Sequence, residues 1–347
     1  MLIETLQPKD HAAWDAYVRA RGDSTCYHLR GWQDVARRAY FIKAPFLVAR
    51  STAGGPLRGV LPLFSVKASI QSHLTTGLFG AYGTILGDDD VRRALGARAK
   101  AIFEEGGYKQ LLIKCLGEQP GLEEMGLRRS DHWVIATLPL DPDPERVWKG
   151  FRDKIRNCVR KAQKHGLELH VGRAEVQHFY DVLFENMHQK GSPIYGLRFM
   201  RALLDAFPAE ADILTLWHEG KPVSGAFLMH HGKTTSVPFA ASLPSAHPMS
   251  PNNLLYWEII KRACGRGSTT LDFGRSVLNT GPLAFKLGWG AKTVPQPTYM
   301  NAPPRPEEGF NPKDKRAELF VEQFKRLPRS VTRAVGPVLC SQLAGLL

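Results

Sequence analysis

Two groups of residues in this 347-residue chain have the types and spacing for group-transfer chemistry. The first lies in residues 272–299, DFGRSVLNTGPLAFKLGWGAKTVPQPTY. Asp272 closes an apolar run beside Gly274, where a carboxylate at a strand end can face a cleft, and Arg275 and Ser276 add a cation and a hydroxyl. Phe285, Lys286 and Trp289 follow in a glycine-rich run. A fixed ammonium in a dry, aromatic setting can hold a developing oxyanion, and a lysine can equally lay its stem on apolar neighbours with its head in water.

The second group is basic. Asp143 suits an N-cap and Pro144 a first helical turn, and Val147, Trp148, Phe151, Ile155, Val159 and Ala162 recur at three or four residues, which predicts a single amphipathic helix ended by Gly166. Opposite its apolar face stand Lys149, Arg152, Arg156, Arg160 and Lys164, flanked by Lys154 and Lys161. Like charges four residues apart cost about 0.2 to 0.5 kcal/mol per pair, and only Asp153 relieves them locally. Such a face gains from an anion, and the arginine fork fits phosphate. Tyr195, after a Gly-Ser-Pro turn, and Asn253 with Tyr256, at the start of another helix, are candidates for acceptor contacts.

Other chemistries lack their partners. The Asp-Phe-Gly of a protein kinase stands here without a His-Arg-Asp or a glycine-rich loop. Gly232 to Thr234 spell Gly-Lys-Thr, but Phe227 occupies the position where a phosphate-binding loop needs glycine. No zinc spacing is present, so no metal is expected, and His230 with His231 reads as a hairpin end.

The elements that must carry these groups form a series that occurs twice. FLVARSTAGGPLRGVLPLFSV reads as paired strands, LFGAYGTIL as a strand, VRRALGARAKAIFEEGG as a helix and YKQLLIKC as a strand. The second series is DILTLWHEGKPVSGAFLMHHG, TTSVPFAAS, PNNLLYWEIIKRACGRG and STTLDFG. The recurrence points to a duplicated α/β (α+β) domain. Proline-rich stretches at 139–144 and 303–312 divide the chain into domains at 1–138 and 139–302, followed by a segment at 303–347 that includes C-terminal helices. The tail, LPRSVTRAVGPVLCSQLAGLL, reads as an amphipathic helix that packs back on the first domain or lies on a membrane surface.

A formal charge of +13 favours anionic partners such as a nucleotide, a coenzyme, RNA or an acidic membrane. Five scattered cysteines without a close pair, no leader pattern and no run of about 20 apolar residues predict a cytoplasmic protein. A noncatalytic RNA- or polysaccharide-binding protein that tracks phosphates with the basic helix is the reading from another class. The oligomeric state is open.

Four motifs together, KxRNxVRKAxKHGL at 154–167, PNNLLYWEII at 251–260, LDFGRS at 271–276 and GxxxFKxGWG at 281–290, resemble the FemAB-like branch of the GNAT superfamily. They are most similar to its members associated with the exosortase (PEP-CTERM) exopolysaccharide system. The resemblance implies tandem GNAT-like domains, each a mixed, mostly antiparallel sheet flanked by helices. It also implies transfer of an acyl or aminoacyl group to an amine, in exopolysaccharide or cell-envelope synthesis. By position Phe285 and Lys286 match the Phe-Lys pair that lines the transfer channel of Fem enzymes, and the basic helix matches the region facing the donor or the nucleotide part of the acceptor. No cofactor is expected to be bound permanently. The glycine loop that cradles coenzyme A phosphates in acetyl-CoA enzymes is missing from SAHPMSPNNLLYW, and the long helical arm of some Fem enzymes is also missing, so acyl-CoA and aminoacyl-tRNA both stand as donors. The acceptor is expected to be an anionic small molecule or a carrier-linked substrate. In the expected mechanism the amine attacks directly in a cleft between the domains, with Lys286 on the oxyanion and Asp272 orienting or deprotonating the amine.

Overall fold

The computed structural model describes residues 1–67, 72–302, 315–342 and 344, and the proline-rich segment 303–312 lies outside them. The chain divides into two compact units: Met1–Val134 with Val294–Gly309 and Leu339–Leu347, and Ile135–Thr293 with Phe310–Val338.

The first unit opens with β1 (Leu2–Thr5), α1 (His11–Ala20) and α2 (Gly31–Tyr40), then β2 (Leu47–Arg50) and β3 (Leu57–Leu61). Strands β1, β2 and β3 form one antiparallel sheet in that order. Next come β4 (Phe64–Lys67), β5 (Ser72–Thr75), α3 (Asp89–Glu105) and β6 (Gln110–Lys114). Strands β5 and β6 are parallel, as a helical crossover between them requires. The α3 helix forms where Asp89 and Asp90 load its first turn and Val91, Leu95 and Ala99 recur every four residues. Those three side chains bury against Leu74, Leu111 and Ile113. Gly59 on β3 sits under this helix, and a Cβ there would lie 2.2 Å from Val91 Cγ1, so no larger residue fits. The strand expected over LFGAYGTIL does not form. Phe79 and Gly80 take consecutive left-handed conformations, φ 51° and 86°, which extended backbone cannot accommodate, and only Leu86 forms a bridge, to Val60.

Strand β7 (Arg128–Pro139) begins in the first unit and ends in the second. The second unit then runs through α4 (Pro144–Lys149), α5 (Asp153–Gln163), β8 (Glu168–Val171), α6 (Val176–Gln189), α7 (Leu197–Ala206), β9 (Ala211–His218), β10 (Lys221–His231), β11 (Thr234–Ser242), α8 (Pro251–Gly265), β12 (Thr270–Val277) and α9 (Gly281–Gly288). Its sheet has the order β8-β9-β10-β11-β12; β11 and β12 are parallel and the other pairs antiparallel. Helices α6 and α8 pack on the sheet and α5 on α8. β13 (Lys292–Met300) passes into the first unit at Val294 and there runs antiparallel to β6, with Tyr299 opposite Ile113.

Each unit thus contains a parallel strand–helix–strand crossover, β5–α3–β6 and β11–α8–β12, inside a mixed, mostly antiparallel sheet. This is the fold expected from the doubled series. Last come α10 (Lys315–Arg326) and α11 (Arg329–Gln342). As far as Val338 they belong to the second unit, where Arg329 bonds Glu185 of α6 through two 2.8 Å contacts; the residues from Leu339 belong to the first.

Candidate functional site

Strands β11 and β12 pair over only three residues each, Thr234–Ser236 against Thr270–Asp272, although they are nine and eight residues long. The last pair, Ser236 with Asp272, is where the parallel ladder stops. Gly274, at φ 77°, turns β12 out of the ladder, and a Cβ there would lie 3.2 Å from the Val237 carbonyl oxygen. Asp272 therefore does not end its strand, as its place beside Gly274 predicts; β12 continues to Val277 through the left-handed glycine. The Asp272 carboxylate is buried and accepts hydrogen bonds from the Gly274 N–H (2.7 Å) and the Ser236 hydroxyl (3.2 Å).

The glycine-rich run folds as α9, with Thr280 at its N-cap position and Pro282 in the first turn. Lys286 lies in its last turn, where the carbonyl end of the helix favours a cation. It is 8% exposed, and its Nζ donates to the carbonyl oxygens of Gly274 (2.8 Å) and Arg275 (2.9 Å). Burial pulls its pKa down from 10.5 to about 8; the Asp272 charge opposes that shift and the Arg275 charge adds to it. The structure thus brings Asp272, Arg275 and Lys286 together at the end of the ladder. Two of the three ammonium N–H bonds are taken by backbone carbonyls that the left-handed turn exposes.

Around this point stands an aromatic group. Tyr256 stacks on Phe273 (5.1 Å between centroids, 20°) and meets Phe285 edge-on at 5.3 Å; Phe151 meets Trp289 at 5.0 Å; Trp148 lies 4.7 Å from Trp257. The Tyr256 hydroxyl is raised in pKa by burial, which keeps it protonated. Ser276 Oγ and Trp289 Nε1 are buried and make no hydrogen bond among the described residues. Tyr195 is elsewhere in the second unit, its ring on Phe199 (5.3 Å) and Phe239 (5.2 Å). Asn253 is half-buried in the first turn of α8, its N–H donating to the Ser250 carbonyl.

The basic helix is two helices. Asp143 does cap the first, accepting from the Glu145 N–H at 2.9 Å, but α4 stops at Gly150 and α5 starts after an extended Arg152. The break has a packing cause, because it drives Phe151 inward between Trp257 and Trp289. Ile155, Val159 and Ala162 then form the buried face of α5, with Ile155 Cδ1 3.7 Å from the place a Cβ of Gly288 would take. The opposite face keeps Arg152, Lys154, Arg160 and Lys161 exposed. Arg156 is bound to Asp153 and to the Lys149 carbonyl (3.1 Å), and Arg160 lies 5.8 Å over the Trp148 ring. The cationic face and the Lys286 turn are thus joined through the aromatic group. Among the residues of this group, Phe151 is flagged in the sequence only as a periodic apolar position and Trp257 only as a letter of PNNLLYWEII, whereas Ser236 carries no signal outside the fold.

Residues 149–287 match the family model described as Acetyltransferase (GNAT) domain. No curated protein shows a significant sequence match to the chain. Among solved structures the chain is similar to FemX, at TM-score 0.70 and 15% identity over 87% of this chain and 97% of that one. It is similar to the C-terminal domain of a protein assigned as a lysylphosphatidylglycerol synthetase from Agrobacterium fabrum, at TM-score 0.58 and 13% identity over 85% and 92%. It is also similar to a tandem GNAT protein from the clavulanic acid biosynthesis pathway, at TM-score 0.57 and 13% identity over 86% and 97%. The segment that holds the split strands, Lys286 and the cationic face is thus the part of the chain that matches a GNAT acetyltransferase domain, which supports an acyltransferase.

Proposed function

We propose that the second unit transfers an acyl or aminoacyl group directly from an activated carrier to an amine, within exopolysaccharide or cell-envelope synthesis in the cytoplasm. The observation that carries this is the parallel ladder ending at Ser236 and Asp272 with a buried ammonium beside its end. Where two strands part, the backbone groups of each edge lose their partner and can bond an extended, amide-bearing arm laid between them. The acyl carbonyl at the tip of that arm then lies near Lys286.

The amine nitrogen attacks this carbonyl carbon and forms the C–N bond. Negative charge develops on the carbonyl oxygen, and the third N–H of Lys286 stabilises it in a site screened from water. Collapse breaks the bond to the carrier's oxygen or sulfur, and the proton lost from nitrogen leaves with that atom. Asp272 acts as a positioning residue: its bonds to Gly274 and Ser236 hold the turn whose carbonyls orient Lys286. Arg275 and the exposed Lys154, Arg160 and Lys161 serve phosphates of the donor or acceptor. Tyr256, Phe285 and Trp289 wall the reacting centre, and Ser276 Oγ and Trp289 Nε1 are buried polar atoms beside it that substrate contact would have to reach by displacing their neighbours. Tyr195 and Asn253 remain candidates for acceptor contacts.

The likeness to a lysylphosphatidylglycerol synthetase favours an aminoacyl donor, and acyl-CoA is the alternative. The test offers radiolabelled aminoacyl-tRNA and radiolabelled acetyl-CoA in turn to the purified chain, with a panel of amino sugars, and counts label in amide product. Amide from either donor that requires the protein supports the reading. Amide from neither, with both donors intact at the end, refutes it.

A further inference from the structure

Six of the thirteen exposed large apolar side chains among the described residues fall between positions 319 and 338: Leu319, Phe320, Leu327, Val331, Val335 and Val338. On α11 the spacing 331, 335, 338 makes one stripe, opposite Thr332, Gly336 and Cys340, which are buried. The helix is not free to turn this stripe inward. Arg329 is held by Glu185, and Arg333 bonds Asp181 at 2.8 Å while its guanidinium lies 4.4 Å over the Phe184 ring. Thr332 Oγ1 meets His188 Nδ1 at 3.1 Å, and Gly336 packs so closely on Ile194 that a Cβ would lie 3.2 Å from its backbone nitrogen. The fold therefore fixes an apolar stripe to solvent, with Lys325 and Arg326 exposed just before Leu327 and Arg326 lying 3.8 Å from Glu322.

We infer that the outer face of α10 and α11 docks on an anionic phospholipid bilayer, lying in its interface. Charge decides between occupants. A second copy of a chain carrying +13 would bring like charges together, whereas an anionic lipid surface attracts both the rim lysine and arginine and the protein as a whole. Among the described residues no helix is long and apolar enough to cross a membrane, so the contact is peripheral. The inference stands apart from the reaction proposed above and is read without any activity measurement.

The test is flotation of the full chain with vesicles of phosphatidylcholine alone and of phosphatidylcholine with phosphatidylglycerol. The intact protein floats with the anionic vesicles and not with the neutral ones. Val335→Asp with Val338→Asp weakens binding at least about tenfold, since burying one such side chain is worth about that factor. Lys325→Glu with Arg326→Glu, which leaves the apolar stripe intact, also weakens it about tenfold and abolishes the preference for phosphatidylglycerol. Circular dichroism reports on the fold of each variant. No flotation of the intact protein, or flotation that both variants leave unchanged, overturns the inference. A concentration-dependent dimer in light scattering that Val335→Asp dissolves assigns the face to a second copy instead, and overturns it as well.

Discussion

Replacing Lys286 by methionine separates holding the turn from handling the reaction. The ammonium makes two charge-assisted hydrogen bonds, to Gly274 and Arg275, each worth about 1.5 to 3 kcal/mol. Against this stands burial, which draws the pKa from 10.5 to about 8, roughly 3 kcal/mol of disfavour for the charged form. The terms largely cancel, so Lys286→Met should lose only about 0 to 3 kcal/mol of stability, read from urea unfolding. Transfer should fall about 100- to 1000-fold, the usual cost of one lost oxyanion donor. The pH dependence gives an independent reading. The folded pKa lies below the unfolded one, so between about 8 and 10.5 the unfolded chain binds more protons, and the wild type gains stability as pH rises through that window. Below it the burial penalty is fully present, and in Lys286→Met the rise is absent. Activity has the opposite slope: the oxyanion donor is the ammonium, and the wild-type rate should decline above about pH 8. A folded Lys286→Met protein that keeps more than about a tenth of the wild-type rate would refute the assignment.

Asp272→Asn keeps the shape of the side chain but removes the charge that supports the Lys286 ammonium, so the alkaline decline in rate should move to lower pH. Asp272→Ala leaves the Gly274 N–H and Ser236 O–H without their acceptor and should cost about 2 to 5 kcal/mol in denaturant unfolding. Phe151→Ala empties the space between Trp257 and Trp289; a loss of about 3 to 5 kcal/mol is expected, and a smaller one would show that the break between α4 and α5 is not held by that ring. Changing Lys154, Arg160 and Lys161 together to alanine should reduce the salt dependence of tRNA binding, by about one in log–log slope for each phosphate these side chains neutralise. An unchanged slope would remove that face from donor recognition and would also count against a noncatalytic nucleic-acid role.

The parts of the fold readable from the residues are those whose signals are local. The α3 and α8 helices, the strand after α3 and the strands on either side of α8 follow from periodicity and glycine stops, whereas β5 before α3 lies outside every predicted strand. What failed is where a local signal meets a tertiary demand. The apolar positions from Val147 to Ala162 fit one helix, and the chain breaks it at Gly150, where Phe151 is buried against Trp257 and Trp289. LFGAYGTIL looks like a strand by composition, but Phe79 and Gly80 reverse the backbone there.

The same distinction explains the site. Asp272 and Lys286 are visible as chemistry-bearing residues, yet no spacing rule shows that both are tied to one turn of β12. That turn has two consequences from a single glycine. Its left-handed φ ends the ladder with β11, opening the strands, and it leaves the Gly274 and Arg275 carbonyls to be satisfied by the Lys286 ammonium. The opening between the strands and the fixed cation beside it are therefore one structural event. A side chain at Gly274 would disturb both together, through a strained φ and a Cβ 3.2 Å from the Val237 oxygen.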